Sequence, residues 1–420
     1  MPPRFDAEQL RLSLSVADLI DTQLLRSLGF ANRGGFERLW MGQAIHSRYQ
    51  EEARAANPTY RAEVPLRHSL DHKGWTVEVS GRLDGLRPEA DRLVVEEVKS
   101  VRDLTRASPS LREMYARQAQ IYAWILRHEH EQPVDAELVW IEIASGEVVR
   151  EPVAVDAEAT ERAVRRRLDV LLEEFSEQEL ARGARRQAAA EMLFPYPAIR
   201  PGQERILEAV ERAAESGEHL LVEAPTGIGK TVAALYPALR YALAHDKRVL
   251  VLTAKNLQQE MITQVLEMLD AERAFHALRL RAKARMCAHD EVLCHEEYCP
   301  FARDYFQKLE RTGVVDRLLE THGVLVPDQV FAAARSAEVC PFEVSLELAG
   351  RAQVVVGDYN YAFEPWVALK DFRDEESLSD WILVVDEMHN LVDRGRGYYS
   401  PVLSATRAGR AAEAIHAAVG

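Results

Sequence analysis

The chain has 420 residues, a formal net charge of −15, an ordinary hydrophobic fraction of 47% and four cysteines. At about 150 residues per domain this predicts two or three domains with a substantial core, and no apolar run approaches the roughly 18 residues of a membrane span. The acidic balance excludes a uniformly basic protein that coats nucleic acid, while a local basic groove stays possible. The N-terminal MPPRFDAEQLRL carries no signal-peptide pattern, so a cytoplasmic location with no membrane partner is expected.

Residues from about 8 to 57 read as helices, most clearly in VADLIDTQLLRSL and MGQAIHSRYQEEARAA. The hydrophobic period then changes to two. YRAEVPLRHSL, WTVEVSGRLDGL and RLVVEEVKSV, separated by the turns DHKG and RPEAD, predict an antiparallel meander. A helix from about Leu111 follows, then two strands, AELVWIEI and VVREPVAV, and a long charged helix from about Ala157. On the third strand of the meander Glu97 and Lys99 are two apart and project from one face. A hairpin brings Asp84 alongside. Two carboxylates and a lysine at one point suit metal-assisted phosphodiester hydrolysis, with Asp84 and Glu97 holding a divalent cation and Lys99 orienting water or stabilising the transition state. Strand edges also carry Glu and Lys as plain surface residues, so the triplet alone reads either way.

The order GxxxH ending at His46, then Asp84, then Glu97-x-Lys99, then QxxxY at Gln118 and Tyr122 resembles the RecB-type branch of the PD-(D/E)xK nucleases over roughly residues 10 to 155. The resemblance implies an α/β nuclease-like domain at 1–170 with His46, Asp84 and Glu97 as ligands of Mg²⁺ or Mn²⁺ and Lys99 as the catalytic lysine. It further implies that Gln118 and Tyr122 position DNA. Leu83 stands where the family often has proline. A structural role for His46, and a nuclease fold that grips DNA without cutting it, are the alternatives.

Residues 171–193 are charged and Ala-rich and read as a helical connector. In FPYPAIRPGQERILEAVERA the prolines keep the chain extended up to a helix that starts near Gly202. Arg200 and Gln203 lie at that start and read as ordinary polar residues. HLLVEAPTGIGKT, from His219, then predicts a short buried strand, a glycine turn and a helix from Lys230. Ala224, Pro225, Thr226, Gly227, Ile228, Gly229, Lys230 and Thr231 have the spacing of a phosphate-binding loop. The glycines leave the backbone N–H groups open to an anion, Lys230 reaches the outer phosphates and the Thr231 hydroxyl holds Mg²⁺.

Apolar strands at 248–252, 353–356 and 381–385 predict a parallel sheet, a RecA-like P-loop NTPase domain within 194–420. The last strand ends in Asp386 and Glu387. Asp386 would hold Mg²⁺ through water and Glu387 would polarise the attacking water. Cys287, Cys294, Cys299 and Cys340 are separated by six, four and forty residues, with no C-x-x-C pair. Clustered cysteines point to metal, and this spacing leans away from zinc toward a [4Fe–4S] cube in an insertion at about 275–345. Zinc and reduced thiols remain the alternatives. Arg279, Arg281, Lys283 and Arg285, just before Cys287, read as a solvated helix face rather than a nucleic-acid patch.

DEMH resembles the DEAH box of superfamily 2 helicases. Together with FPY…R-x-x-Q, APTGIGKT, TAKNLQQE, DYNY and Cys340-Pro341-Phe342, it makes the region from Phe194 onward similar to the XPD/DinG-type helicases. That resemblance implies ATP as cofactor, Arg200 and Gln203 as adenine readers, Thr253 and the loop after it as DNA-backbone contacts, and single-stranded or branched DNA as partner. It also implies a role in repair, with nucleoid association if the source is bacterial. Only the first motor lobe is recognisable. The stretch 400–420 looks like the start of a further region, so a fragment with weak ATP binding and little unwinding is expected.

Overall fold

The structure is a computed structural model and describes residues 3–20, 35–101, 109–143, 145–225, 227–270, 273–289, 292, 294, 298–372, 375–400, 404–406, 408–410 and 412. Thr226, the helical reading of 21–34 and most of 400–420 lie outside the described residues. The chain divides into two compact units. One holds residues 1–180 with 294–298 and 302–307, and the other holds 181–293, 299–301 and 308–420. No helix among the described residues is long and apolar enough to cross a membrane.

The first unit runs β1 (Arg4–Asp6), β2 (Arg11–Ser15), α1 (Gly35–Ala56), β3 (Arg61–His72), β4 (Trp75–Pro88), β5 (Leu93–Val101), α2 (Pro109–Glu129), β6 (Val134–Glu142), β7 (Val148–Val153) and α3 (Ala157–Glu191). Its seven-stranded sheet has the order β1-β2-β4-β5-β6-β7, with β3 paired to β4. β3, β4 and β5 form the expected antiparallel meander. The start of the chain corrects the helical reading. RLSLS alternates, burying Leu12 and Leu14 while Arg11 stays exposed, and β2 pairs parallel with β4. A period of two over five residues outweighed the weaker helical pattern.

β4 is the organising strand. β3 lines one edge along most of its length, from Leu86 back to Trp75. The other edge pairs with β2 as far as Ser80 and with β5 only from Gly85. Between these partners, at residues 81–84, the sheet forks. Tyr122 of α2 fills the fork, so close that a Cβ at Gly81 would lie 2.7 Å from its ring, and its phenol donates to the Arg82 carbonyl at 3.1 Å. α2 buries a run of residues, Ile121 to Leu126, rather than one stripe.

The opposite face of β5 carries a fully buried carboxylate. Glu96 is 0% exposed and accepts from the Tyr49 phenol at 2.6 Å, Arg150 Nη1 at 2.8 Å and Arg87 Nε at 2.9 Å. Arg87 and Arg150 also pair with Glu137. Burial alone would raise the Glu96 pKa, but these donors outweigh it and hold it below the ordinary carboxylate range. The stability that follows is present above the unfolded pKa of about 4.3 and is lost as pH falls through the depressed folded value. Tyr49→Phe should cost about 1.5–3 kcal/mol near neutral pH, the scale of a hydrogen bond to a buried charge. Urea denaturation across pH should show that gap closing in acid; a gap independent of pH would refute the assignment.

The second unit adds α4 (Gln203–Ser216), α5 (Lys230–Ala244), β8 (Arg248–Leu252), α6 (Asn256–Leu269), β9 (Ala277–Arg279), α7 (Lys283–Met286), α8 (Tyr305–Thr312) and α9 (Val314–Thr321). The chain continues through β10 (Val324–Leu325), α10 (Pro327–Ser336), α11 (Pro341–Arg351), β11 (Val354–Gly357), α12 (Asn360–Phe363), β12 (Trp381–Val385) and α13 (His389–Tyr398). All strand pairs are parallel, in the order β10-β9-β11-β8-β12. β8 and β11 are the near-continuous apolar runs that a sheet covered on both faces requires.

Two findings differ from expectation. His219–Val222 joins no ladder, and Leu220, Leu221 and Val222 are 42%, 74% and 38% exposed. A strand needs a neighbour on its edge, and none of the described strands pairs there; β12, beyond β8, is the last strand in the sheet order. The stretch read as an insertion, 275–345, supplies two sheet strands, β9 and β10, with β9 between β10 and β11.

Candidate functional site

In the first unit the fork delivers Asp84. Its Oδ2 accepts the Val98 backbone N–H at 2.8 Å, a donor that the interrupted ladder leaves over, and lies 3.6 Å from Lys99 Nζ. Lys99 is also paired with Glu97. Glu97 is 1% exposed, and its Oε2 is buried without a hydrogen-bond partner. Burial pushes the Glu97 pKa up to about 7 against the pull of Lys99. Burial would lower the pKa of the Lys99 ammonium, but Glu97 and Asp84 outweigh it and hold it above its ordinary value. The Tyr115 ring lies 4.9 Å from Lys99 Nζ.

His46 is half-buried on α1, within the electrostatic reach of Asp84, Lys99 and Glu63; burial lowers its pKa and Asp84 opposes the shift. One turn on, Gln50 donates to the Asp84 carbonyl at 3.0 Å and to Glu63 Oε1 at 2.9 Å. Gln118, one turn before Tyr122 on α2, is among the groups that influence its phenol, and Tyr122 is only 4% exposed. Among the described residues no three His, Cys, Asp or Glu side chains are drawn together tightly enough to grip a metal ion. The orphaned Glu97 oxygen beside Asp84 nevertheless has the chemistry of a cation ligand, since a buried carboxylate oxygen otherwise finds a donor. The sequence reading missed Gln50 and Tyr115. Helical spacing could have found both, because Gln50 is four residues after His46 and Tyr115 three before Gln118.

In the second unit the glycine turn starts α5. Gly227 and Gly229 have φ of +84° and +87°, a region closed to most side chains, and Gly229 is crowded: an added Cβ would lie 2.3 Å from Gln203 Nε2. Gln203 is 2% exposed and donates to the Gly229 carbonyl at 3.3 Å, while Arg200 Nη1 donates to the Gly227 carbonyl at 2.7 Å. Both side chains thus brace the loop backbone. Lys230 Nζ donates to the Ala224 carbonyl at 2.8 Å.

Asp386 follows β12 and keeps one more ladder bond, to the Leu252 carbonyl at 2.9 Å. Its pKa is raised by burial and by the Glu387 carboxylate, against the attraction of Lys230 and Lys255. Asp386 thus lies within the electrostatic reach of the loop lysine, beyond the carboxyl end of β12. Thr253 is 0% exposed, its hydroxyl donating to Gln258 Oε1 at 2.5 Å. Met388 of the DEMH stretch is 46% exposed.

Cys299 is buried, and Cys287, Cys294 and Cys340 are half-buried; none of the four is in a disulfide. Burial pushes the Cys340 thiol up to about 11. Cys294 falls with the first unit and the other three with the second, and no three are gathered. Within the second unit, Cys287, Cys299 and Cys340 are not drawn together tightly enough to hold a metal ion. The basic stretch before Cys287 is largely neutralised, with Arg279 on Glu260, Arg281 on Asp328 and Lys283 on Glu343 at 3.4, 2.7 and 3.5 Å.

Comparison with known proteins gives three family matches. DEAD/DEAH box helicase covers residues 200–292, DEAD_2 covers 253–407, and the PD-(D/E)XK nuclease superfamily covers 7–204. The chain is similar to the general transcription and DNA repair factor IIH helicase subunit XPD of Arabidopsis thaliana, at 25% identity over 47% of this chain and 30% of that protein. It is also similar to the ATP-dependent helicase DinG of Mycobacterium tuberculosis, at 31% identity over 51% of this chain and 38% of that protein. A solved structure described as truncated XPD aligns at 20% identity over 46% of this chain and 52% of the other, with a TM-score of 0.28. The chain thus spans well under half of the curated relatives it matches. It is XPD/DinG-like in its DEAD/DEAH box and DEAD_2 helicase domains, and it carries an N-terminal PD-(D/E)XK nuclease-like domain.

Proposed function

We propose that the protein couples ATP hydrolysis to movement along single-stranded DNA, and that its N-terminal domain cuts single-stranded or branched DNA in repair. The observation that supports the motor reading is the glycine turn that opens α5 at Lys230, braced by Arg200 and Gln203, in the same unit as the Asp386–Glu387 turn at the end of β12. Phosphates would offer Lys230 an anionic acceptor in place of the Ala224 carbonyl that it now holds. Thr231 and Asp386 would hold Mg²⁺, which neutralises charge on the transferred phosphoryl group. Glu387 then orients the attacking water, and Arg200 with Gln203 keeps the loop in shape beside the base.

The nuclease reading is supported by the orphaned Glu97 Oε2 next to Asp84. Glu97, Asp84 and His46 would hold Mg²⁺ or Mn²⁺, which supplies an activated water and charge neutralisation. Lys99, kept charged by its two carboxylates, is placed to orient that water or meet the developing phosphate charge. Gln118 and Tyr122 would act from behind the fork, through the Arg82 backbone, with Thr253 shaping a DNA-facing loop in the motor.

Lys230→Ala should lower DNA-stimulated ATP turnover by about 10²–10³-fold, the scale of losing one transition-state donor. Unchanged turnover would sink the motor site. Lys99→Ala should lower metal-dependent cleavage of single-stranded and branched DNA by a similar factor. Wild type and variant at the same background would leave a nuclease fold that only grips DNA, inside an ATP-gated binding protein.

The [4Fe–4S] assignment rests on the sequence alone, on the wide spacing of Cys287, Cys294, Cys299 and Cys340 and on Cys340-Pro341-Phe342. Purified protein should be brown, with about four irons per chain. Colourless protein carrying zinc would move the site to a zinc assignment, and protein with neither metal would leave reduced thiols.

A further inference from the structure

Glu387 is one of the few non-glycine residues with a positive φ, at +51°. An L-residue there costs roughly 1–2 kcal/mol, so the surroundings must hold it in place. Ordinary secondary structure does not, because β12 has ended at Val385 and α13 begins only at His389. The turn between them presents the carbonyls of Asp386 and Glu387 to the interior.

Tyr359, two residues beyond β11, answers both carbonyls. It is 0% exposed, and its Oη lies 2.5 Å from the Asp386 carbonyl and 3.1 Å from that of Glu387, so one phenolic proton is shared between two acceptors. Asn390 adds its backbone N–H and its Nδ2, at 3.0 and 3.1 Å, to the Glu387 carbonyl. The neighbours of Tyr359 fix its own position. Asp358 pairs with Arg394 at 3.6 Å, Asn360 accepts from the Tyr398 phenol at 2.6 Å, and Tyr361 donates to the Arg281 carbonyl at 3.1 Å. The DYNY stretch is thus a rigid bracket behind the acidic turn.

We propose that Tyr359 is a positioning residue for nucleotide hydrolysis. Its hydroxyl, and not merely its ring, fixes the turn that aims the Asp386 and Glu387 carboxylates at the phosphate loop. The proposal rests on the reading of that pair as the Mg²⁺- and water-handling groups. Tyr359 is fully buried, and it acts through two backbone carbonyls. Removing the hydroxyl leaves the ring to fill the core, while the turn loses its shared donor and the Asp386 carboxylate loses its fixed aim.

Tyr359→Phe isolates the hydroxyl. The probe is a fluorescent ATP analogue, titrated into the protein in Mg²⁺ and again in EDTA. Wild type should bind more tightly in Mg²⁺. Tyr359→Phe should keep the affinity measured in EDTA and lose about tenfold of the gain due to Mg²⁺, the scale of one positioning hydrogen bond. Asn390→Ala, which removes a second donor from the same turn, should lose part of that gain and serves if Tyr359→Phe folds poorly. A full Mg²⁺ gain in Tyr359→Phe overturns the proposal. So does an equal loss with and without Mg²⁺, which marks a general structural defect. Asp386→Asn is the control: if it keeps the wild-type Mg²⁺ gain, the acidic-pair reading itself fails and takes the proposal with it, a failure that shows in the control and not in Tyr359→Phe.

Discussion

Where a β-ladder stops, its N–H and C=O groups must find partners outside the sheet, and both candidate sites stand at such places. At the fork in the first unit the Val98 N–H goes to the Asp84 carboxylate and the Arg82 carbonyl to the Tyr122 phenol. At the strand ends of the second unit the carbonyls of Asp386 and Glu387 go to the Tyr359 phenol. In each case a side chain is fixed because it satisfies backbone that has run out of ladder. Rigidity at the chemistry therefore comes from the sheet, through groups that the sheet could not pair itself.

Glu96 and Glu97 show how one strand separates stability from chemistry. They are adjacent, both buried, and on opposite faces of β5. Glu96 has three donors on it and a depressed pKa, the condition of a carboxylate that holds a fold together. Glu97 has Lys99, an oxygen with no partner, and a pKa pushed up to about 7 by burial. A buried carboxylate oxygen without a donor is costly unless a ligand completes it. The network around Glu96 holds α1 through Tyr49, and α1 in turn presents His46 and Gln50 to the Asp84 side of the fork. Fold stability and site geometry thus meet in one helix.

The long, strongly patterned elements were legible in the sequence. The alternation through β4 and β5 placed Asp84, Glu97 and Lys99 together, and apolar runs marked β8, β11 and β12. The glycine spacing marked the start of α5 at Lys230. What escaped was short or set by distant parts of the chain. β9 and β10 have three and two residues, too few for any period to register. β2 has five, beside a stretch that reads as helix. His219–Val222 has the composition of a strand, but pairing needs an edge, and a sequence does not report edges. The roles of Gln50, Tyr115 and Tyr359 depend on which backbone or ring each one meets, and that is fixed only by the tertiary fold.

The bracket behind the acidic turn reaches further than the nucleotide site. Tyr359 and Tyr361 flank Asn360 at the start of the four-residue helix α12, and the Tyr361 ring folds over Gly357 so closely that an added Cβ would lie 2.7 Å from it. One phenol holds the carbonyls of Asp386 and Glu387, and the other holds the carbonyl of Arg281, two residues before α7 and six before Cys287. The two phenols thus anchor the acidic turn and the backbone just before the cysteine-bearing segment to one four-residue helix after β11, within a single unit.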